Sequence, residues 1–363
     1  MKIKDWVQKE VRSLSCYDIK TILGQKNQKK IMKMNLNENF ALPNKSIQEL
    51  LLDACRSIDV RAYPPPRGSL ATKAISRFLG FSECEVSVAN GADEILDLIM
   101  KVFVRKGSKV MIVEPSFPMY TFFTQLYGGN TVPISLQQDF SLDVDAILTK
   151  AEKDTRLLFV CSPNNPTGNQ FREAKIKKLL QEFNGVVIVD EAYVDFASGS
   201  VLNWVKKYDN LAVLRSFSKA FGLAGLRLGY LVSSESIAGY VQRVMGPFNV
   251  NSVTQQAIVL ALEKWSYFEQ QFKYVIKERK MLMKNLTQIN GVNPYPSEAN
   301  FILFKIARDC LTSAIVSKRL EKRGVLVKDR GHIPLLENCI RVTVGTRNMN
   351  EAFLSALKES MEE

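Results

Sequence analysis

A single histidine stands among the 363 residues of the chain. Its scarcity removes zinc sites built on imidazole and leaves any serine-histidine-aspartate mechanism resting on His332 alone. The six cysteines, Cys16, Cys55, Cys84, Cys161, Cys310 and Cys339, include no C-x-x-C pair. Neither a zinc knuckle nor a disulfide framework is indicated, and the thiols read as reduced and mostly buried. No metal site is expected. No run approaches the roughly 18 apolar residues of a membrane span, and the start, Met1 to Trp6, has charges but no apolar core of a secretory leader. No membrane association is expected, and the expected location is the cytoplasm. The absence of G-x-G-x-x-G after an early strand disfavours a nicotinamide enzyme. Neither a low-complexity linker nor a repeat period divides the chain.

What is present is an ordinary globular composition, 46% hydrophobic and 24% charged, able to bury a large core in two lobes. The formal charge of +12 is spread along the chain and accompanies no nucleic-acid recognition motif, so no nucleic-acid partner is expected. The densest early cluster, Lys26 to Lys30, reads as a solvated face. Attraction for anionic, phosphorylated substrates is the milder use of such a charge.

Hydrophobic patterning predicts an amphipathic helix over Asp5 to Thr21, a basic turn and a brief strand at Ile31 to Met34. Helices follow near 46–57 and 69–79, and Asn90-Gly-Ala-Asp-Glu94 opens another that runs through Val104. Strands are predicted at Lys109–Val113, Leu157–Cys161, Val186–Asp190, Leu211–Arg215 and Gly229–Ser233. Several are short, continuous apolar runs separated by helical stretches, the mark of a largely parallel sheet covered on both faces. After about residue 246 the pattern changes to a long helical region near 252–287, a strand at Asn300–Phe304, a helix near 311–323, and strands at Val325–Val327 and Cys339–Thr343. The expected organisation is an arm over 1–35 that packs with the small domain or a dimer partner, a large α/β domain over 36–245 and a smaller α+β domain over 246–363.

Lys219 lies in Ser216-Phe-Ser-Lys-Ala-Phe-Gly-Leu-Ala-Gly-Leu-Arg-Leu-Gly229, directly after an apolar strand. Small and hydroxyl residues before it, and Arg227 eight positions after it, supply hydrogen-bond donors and a fixed charge suited to a phosphate. Held away from solvent, its amine gains the lowered pKa that lets it attack an aldehyde as the free base. Asp190 ends the strand Val186–Asp190, where open α/β sheets bind ligands. A carboxylate buried there needs a cationic partner, and the protonated ring nitrogen of pyridoxal phosphate is one; Asp190 would keep that ring an electron sink. Tyr193, three residues on, is placed to reach the ring hydroxyl. In Ser162-Pro-Asn-Asn-Pro-Thr-Gly168, a sharply specified loop, Asn165 can donate its amide to the same ring oxygen. Gly91-Ala92-Asp93 begins a helix whose free N–H groups and dipole suit a phosphate.

Taken together, Asn35-Leu-Asn-Glu-Asn39, Tyr63-Pro-Pro-Pro, Asn90-Gly-Ala-Asp-Glu, Pro-Asn-Asn-Pro-Thr-Gly, Asp190-Glu-Ala-Tyr and Ile340-Arg-Val-Thr-Val-Gly-Thr346 run almost end to end. In order and separation the chain resembles the fold-type I pyridoxal-phosphate enzymes of the class I/II aminotransferase group, and within it is most similar to the histidinol-phosphate branch. The resemblance implies a mostly parallel seven-stranded sheet sandwiched by helices, with a smaller α+β domain. It implies that Ser216, Ser218 and Arg227 hold the cofactor phosphate together with the Gly91–Asp93 turn, and that Tyr63 reaches the same phosphate from the neighbouring subunit of a homodimer with composite sites. Phe117 stands where the family stacks an aromatic ring on the cofactor. Arg341 stands where the family grips an amino-acid carboxylate in a bidentate fork, and Asn165 is implied at the substrate as well as at the cofactor. Tyr17, Lys328 and Arg330 fall near the phosphate of the second substrate, Lys328 standing where related enzymes commonly have arginine and so pairing only as a point charge. His332 reads as a loop residue near that region.

The activity so implied is a ping-pong exchange of an amino group between glutamate/2-oxoglutarate and histidinol phosphate/imidazole-acetol phosphate. Lys219 acts as both covalent anchor and proton shuttle, and Asp190 and Tyr193 as its catalytic companions. A threonine-phosphate-type decarboxylase and a broader aromatic or phospho-substrate aminotransferase share the fold and stand as the alternatives.

Overall fold

In the computed structural model the described residues are 2–14 and 31–363; Cys16, Tyr17 and the run Lys26 to Lys30 lie outside them. A two-residue strand, β1 (Met32–Lys33), precedes the main sheet. That sheet contains β2 (Val86–Ala89), β3 (Lys109–Glu114), β4 (Asn130–Ser135), β5 (Thr155–Cys161), β6 (Val186–Asp190), β7 (Leu211–Ser216) and β8 (Gly229–Ser233), in the order β2-β8-β7-β6-β5-β3-β4. Pairing is parallel from β7 across to β4, and β8 runs antiparallel to both its neighbours.

The apolar runs form strands because both faces of the sheet are covered. Along β6, Val187 and Val189 join one hydrophobic cluster while Ile188 joins the other; on β7, Val213 and Leu214 divide in the same way. Alternation with a period of two sends successive side chains to opposite faces. The helix Ala92–Phe103 contributes Ile95, Leu96 and Ile99 to one of these layers. Because β3 lies between β5 and β4, the chain reverses its direction of travel across the sheet there, leaving a crevice at the carboxyl ends of β3, β5 and β6.

The remaining strands are β9 (Val292–Pro294), β10 (Phe301–Ile306), β11 (Val325–Leu326), β12 (Lys328–Asp329) and β13 (Cys339–Thr343). Four of them form an antiparallel sheet ordered β12-β13-β10-β9. β11 instead pairs in parallel with β1, tying the N-terminal segment to this part of the molecule. Val189 and Val342 belong to one continuous cluster, so the two sheets share apolar packing. None of the described helices is long and apolar enough to cross a membrane.

The structure corrects the element boundaries in three places. The helix expected over Asp5 to Thr21 is not continuous within the described part: a 3-10 turn at Ile3–Asp5 and a short helix at Lys9–Ser13 end in extended backbone at Leu14. Neither segment buries a residue, and so short a helix does not persist without packing. The long helical region is two helices, Ser252–Glu263 and Trp265–Leu286, broken at Lys264. β4, β9 and the two-residue β12 were not anticipated. All three lie at sheet edges, and β4 and β9 carry a proline, Pro133 and Pro294, so they lack the apolar run that betrays a central strand.

Candidate functional site

Beyond the carboxyl end of β7 the segment Ser216–Lys219 is nailed down on both sides. Phe217 is buried against Phe221 and Tyr230, its N–H donates to the Leu228 carbonyl, and the Ser218 N–H donates to Ser216 Oγ. Apolar anchoring of Phe217 and Phe221 leaves Lys219 facing the crevice, where its Nζ donates to the Leu36 carbonyl at 3.1 Å. Burial, reinforced by the nearby Arg341 cation, lowers the ammonium pKa to about 8. The amine is therefore available as a free base close to neutrality.

Asp190 ends β6 opposite Cys161 of β5. Its Oδ2 accepts from the Tyr120 hydroxyl at 2.5 Å and its Oδ1 from the Ala192 N–H at 2.9 Å. Burial outweighs these donors and pushes the carboxyl up to about 6. Tyr193 is buried edge-on to Phe301, with ring centroids 5.2 Å apart, and its hydroxyl accepts from Asn37 Nδ2 at 3.0 Å. Burial raises the phenol above its ordinary range.

The loop after β5 has cis peptides before Pro163 and Pro166. Asn164 braces it by donating to the Pro115 carbonyl and to Thr167 Oγ1. Asn165 then meets Arg341 from β13: Arg341 Nη1 donates to Asn165 Oδ1 at 2.5 Å and Nη2 to the Asn35 carbonyl at 2.6 Å. The guanidinium also lies 5.3 Å from the centre of the Phe301 ring, the geometry of a cation–π contact. One buried cation thus joins both sheets and the N-terminal segment.

At the other end of the crevice Gly91 (φ 92°) leads into the helix Ala92–Phe103. A Cβ at Gly91 would lie 2.5 Å from Arg227 Nη2, and one at Gly229 would lie 2.4 Å from the Ala92 nitrogen. The glycines permit the guanidinium and the helix start to converge. Arg227, itself at φ 53°, donates to Asp93 Oδ2 at 2.9 Å. The first-turn amides have no carbonyl one turn back and point toward this end.

These groups enclose a cavity of about 220 Å³. Of the residues expected to hold a cofactor, all line it except Gly91, which sits behind Ala92, and Tyr63. Tyr63 is 81% exposed and stacks on Phe248 at 4.5 Å, outside this chain's cavity. Among the expected substrate residues Arg341 and Asn165 line the cavity, and Lys328 and Arg330 do not. Lys328 is the strand neighbour of Arg341, and the Arg330 N–H donates to the Cys339 carbonyl. Tyr17 lies outside the described residues, and His332 is exposed in the loop before β13.

Four contributors escaped the sequence: Tyr120, Cys161, Leu36 and Asn37. Tyr120 is three residues after Phe117 and Cys161 directly precedes the Ser162 loop, so proximity to recognised motifs was their only signal. Leu36 acts through its carbonyl, which no side-chain pattern reveals. With a cation and helix amides at one end, a poorly compensated carboxylate at the other, an amine on the wall and Phe117 beside it, the cavity suits a flat ligand bearing a phosphate, an aldehyde and a basic ring nitrogen.

Comparison with known proteins agrees with that geometry. The family model described as Aminotransferase class I and II matches residues 29–357. A histidinol-phosphate aminotransferase of a Thermoanaerobacter species is 37% identical over 362 residues, covering 98% of this chain and 99% of the relative. Among solved structures, the histidinol-phosphate aminotransferase of Sinorhizobium meliloti in complex with pyridoxal-5'-phosphate aligns with a TM-score of 0.90 at 22% identity, over 98% of this chain and 97% of that one. The L-threonine-O-3-phosphate decarboxylase of Porphyromonas gingivalis aligns with a TM-score of 0.80 at 23% identity, over 92% and 100%. At these identities the two structural likenesses concern the fold.

Proposed function

The chain belongs to the class I and II aminotransferases, and from that premise we propose that it moves an amino group between glutamate and a phosphorylated ketone, imidazole-acetol phosphate, with pyridoxal phosphate as cofactor. The observation that carries this is the meeting of Lys219, Asp190 and Arg341 in one cavity.

The residues fit the cofactor. Arg227, Ser216, Ser218 and the start of the helix Ala92–Phe103 would hold its phosphate, Asp190 its ring nitrogen, Tyr193 and Asn165 its ring oxygen, and Phe117 its face. When bound, pyridoxal phosphate supplies an aldehyde for an amine and a ring that draws off the electron pair left when the substrate carbon loses its proton. Lys219, free-base near pH 8, takes that proton at Nζ and returns it. Asp190, once facing a cation, regains the ionic form that burial opposes. Arg341 holds the donor carboxylate in a fork, its present acceptors Asn165 Oδ1 and the Asn35 carbonyl marking where the guanidinium points. Burial excludes water from these groups and strengthens each of them.

The phosphorylated partner is supported by full-length relatives named histidinol-phosphate aminotransferase, and we assign its phosphate to Tyr17, Lys328 and Arg330. Tyr63, exposed beside Phe248, is assigned to the phosphate site of a second copy in a homodimer. The chain is assigned to the cytoplasm, with a PLP-binding lobe over 36–245 and a smaller lobe over 246–363. Titrating the purified yellow protein tests this directly. Glutamate is expected to bleach the colour and imidazole-acetol phosphate to restore it. Release of carbon dioxide without any need for 2-oxoglutarate would replace this reading with the decarboxylase.

A further inference from the structure

Asp190 is a buried carboxylate whose hydrogen-bond partners among the described residues are both uncharged. One is the N–H of Ala192, two residues along its own chain; the other is Tyr120, brought in from the helix Met119–Leu126. Tyr120 is fully buried, stacked on Phe159 with ring centroids 4.7 Å apart and planes at 13°, and set edge-on to Phe117 at 5.6 Å. A phenylalanine would fill the same space. The hydroxyl therefore needs a reason beyond packing; the neutral Cys161 thiol lies near it, but its short bond is the 2.5 Å contact to Asp190 Oδ2, the length of a charge-assisted O–H···O⁻ contact.

Resting on the function proposed above, we propose that Tyr120 is a positioning residue for the amino-group exchange: its phenol, donating to Asp190 Oδ2, turns the carboxylate toward the cofactor ring nitrogen and holds it ionised. The direction of donation is fixed, because burial and the neighbouring Asp190 charge raise the Tyr120 phenol well above its ordinary range and keep its proton on. The surroundings otherwise work against the ionised carboxyl. Asp93 from the helix Ala92–Phe103 and Glu191 just beyond β6 both oppose it, and Cys161 from β5 adds a thiol held neutral by burial. Lys219, Arg227 and Arg341 share the cavity, and their hydrogen bonds run to the Leu36 carbonyl, to Asp93, and to Asn165 and the Asn35 carbonyl. Tyr120 also ties two cofactor contacts together, since its ring edge fixes Phe117, the residue assigned to the cofactor face.

The test compares the parent protein with Tyr120→Phe, Asp190→Asn and the double variant. Tyr120→Phe keeps the ring and its stacking on Phe159. Isotope-edited infrared titration of the cofactor-free chain, referenced to Asp190→Asn, reads the Asp190 carboxyl directly. Its midpoint is expected to rise by about one pH unit or more in Tyr120→Phe, as loss of a hydrogen bond to a charged group requires. Absorbance titration with pyridoxal phosphate at pH 7 is expected to give about tenfold weaker binding for Tyr120→Phe in the parent background. In the Asp190→Asn background the same change is expected to be less than about twofold. An unmoved carboxyl midpoint, or an equal loss of affinity in both backgrounds, would overturn the proposal and leave Tyr120 as core packing. A parent protein that takes up no pyridoxal phosphate would instead sink the function proposed above, with the infrared titration still judging the Tyr120–Asp190 bond by itself.

Discussion

Asp190 and Glu191 are consecutive residues, both carboxylates and both buried, in opposite electrical situations. Glu191 Oε2 accepts from Arg215 Nε at 3.0 Å and Nη2 at 2.8 Å, its Oε1 accepts the Val201 N–H at 2.7 Å, and Ser200 Oγ donates to it as well. It borders a second, polar cavity of about 190 Å³ that includes Ser162 and Ser200. Asp190, in the 220 Å³ cavity, has two neutral donors and no ion pair among the described residues. The completed pair is architecture, since its charge is neutralised from within the chain. The incomplete one is a demand for a cation from outside, and a cavity lies in front of it to admit one.

The sharpest way to break this contrast is to remove a group on the incomplete side and look for lost chemistry with the fold intact. Lys219→Ala is expected to lower the turnover of glutamate by at least about a thousandfold while melting no lower than the parent; near-parental turnover would place the proton shuttle elsewhere. Next in size comes the completed side. Glu191→Gln removes the carboxylate paired with the largely buried Arg215 and leaves Asp195 as its remaining nearby acid; it is expected to cost about 3 kcal/mol of stability in urea denaturation. A neutral result would erase the distinction between the two carboxylates.

Asp190→Asn is expected to do the reverse. A carboxyl whose folded pKa is about 6 against an unfolded value near 3.9 opposes folding in its ionised form. Stability falls as pH rises through about 4 to 6, and the penalty is complete above that window. The substitution should therefore stabilise the cofactor-free protein by about 1–3 kcal/mol at pH 7 and flatten its stability profile between pH 4 and 6, as thermal melts across that range would show. The smallest effect belongs to His332→Ala. His332 is exposed outside the cavity, so stability should change by less than about 0.5 kcal/mol. The rate of pyridoxal phosphate uptake should still rise toward pH 8 as the Lys219 amine deprotonates, since its lowered pKa favours the free base above that point. A flattened profile in this variant would take the pH dependence away from Lys219.

Much of the fold was written in contiguous stretches. The central strands announced themselves because Val187–Val189 and Leu211–Leu214 are buried throughout and so are apolar without interruption. β4 and β9 stayed hidden because an edge strand needs neither that run nor freedom from proline. Lys219, Asp190, Asn165 and Arg227 were legible because each closes or follows an apolar strand or sits in a loop of distinctive composition. Tyr120 was not, since its importance lies in a bond to a residue 70 positions away. The N-terminal segment was read as a motif without a role; its work is done by the carbonyls of Asn35 and Leu36 and by the Asn37 amide.

The sequence by itself determined which residues could do the chemistry: an amine after one strand, a carboxylate at the end of another and an arginine near the C-terminus, because local order sets side-chain type and strand position. Only the tertiary structure decided their strength and partners. Arg341 meets the Asn35 carbonyl across 306 residues, Lys219 reaches Leu36 across 183, and the depressed amine and raised carboxyl arise from burial in a shared cavity. Desolvation and charge act through space, and distance in space is fixed by how the two sheets and the N-terminal segment pack, not by the order in which their residues are joined.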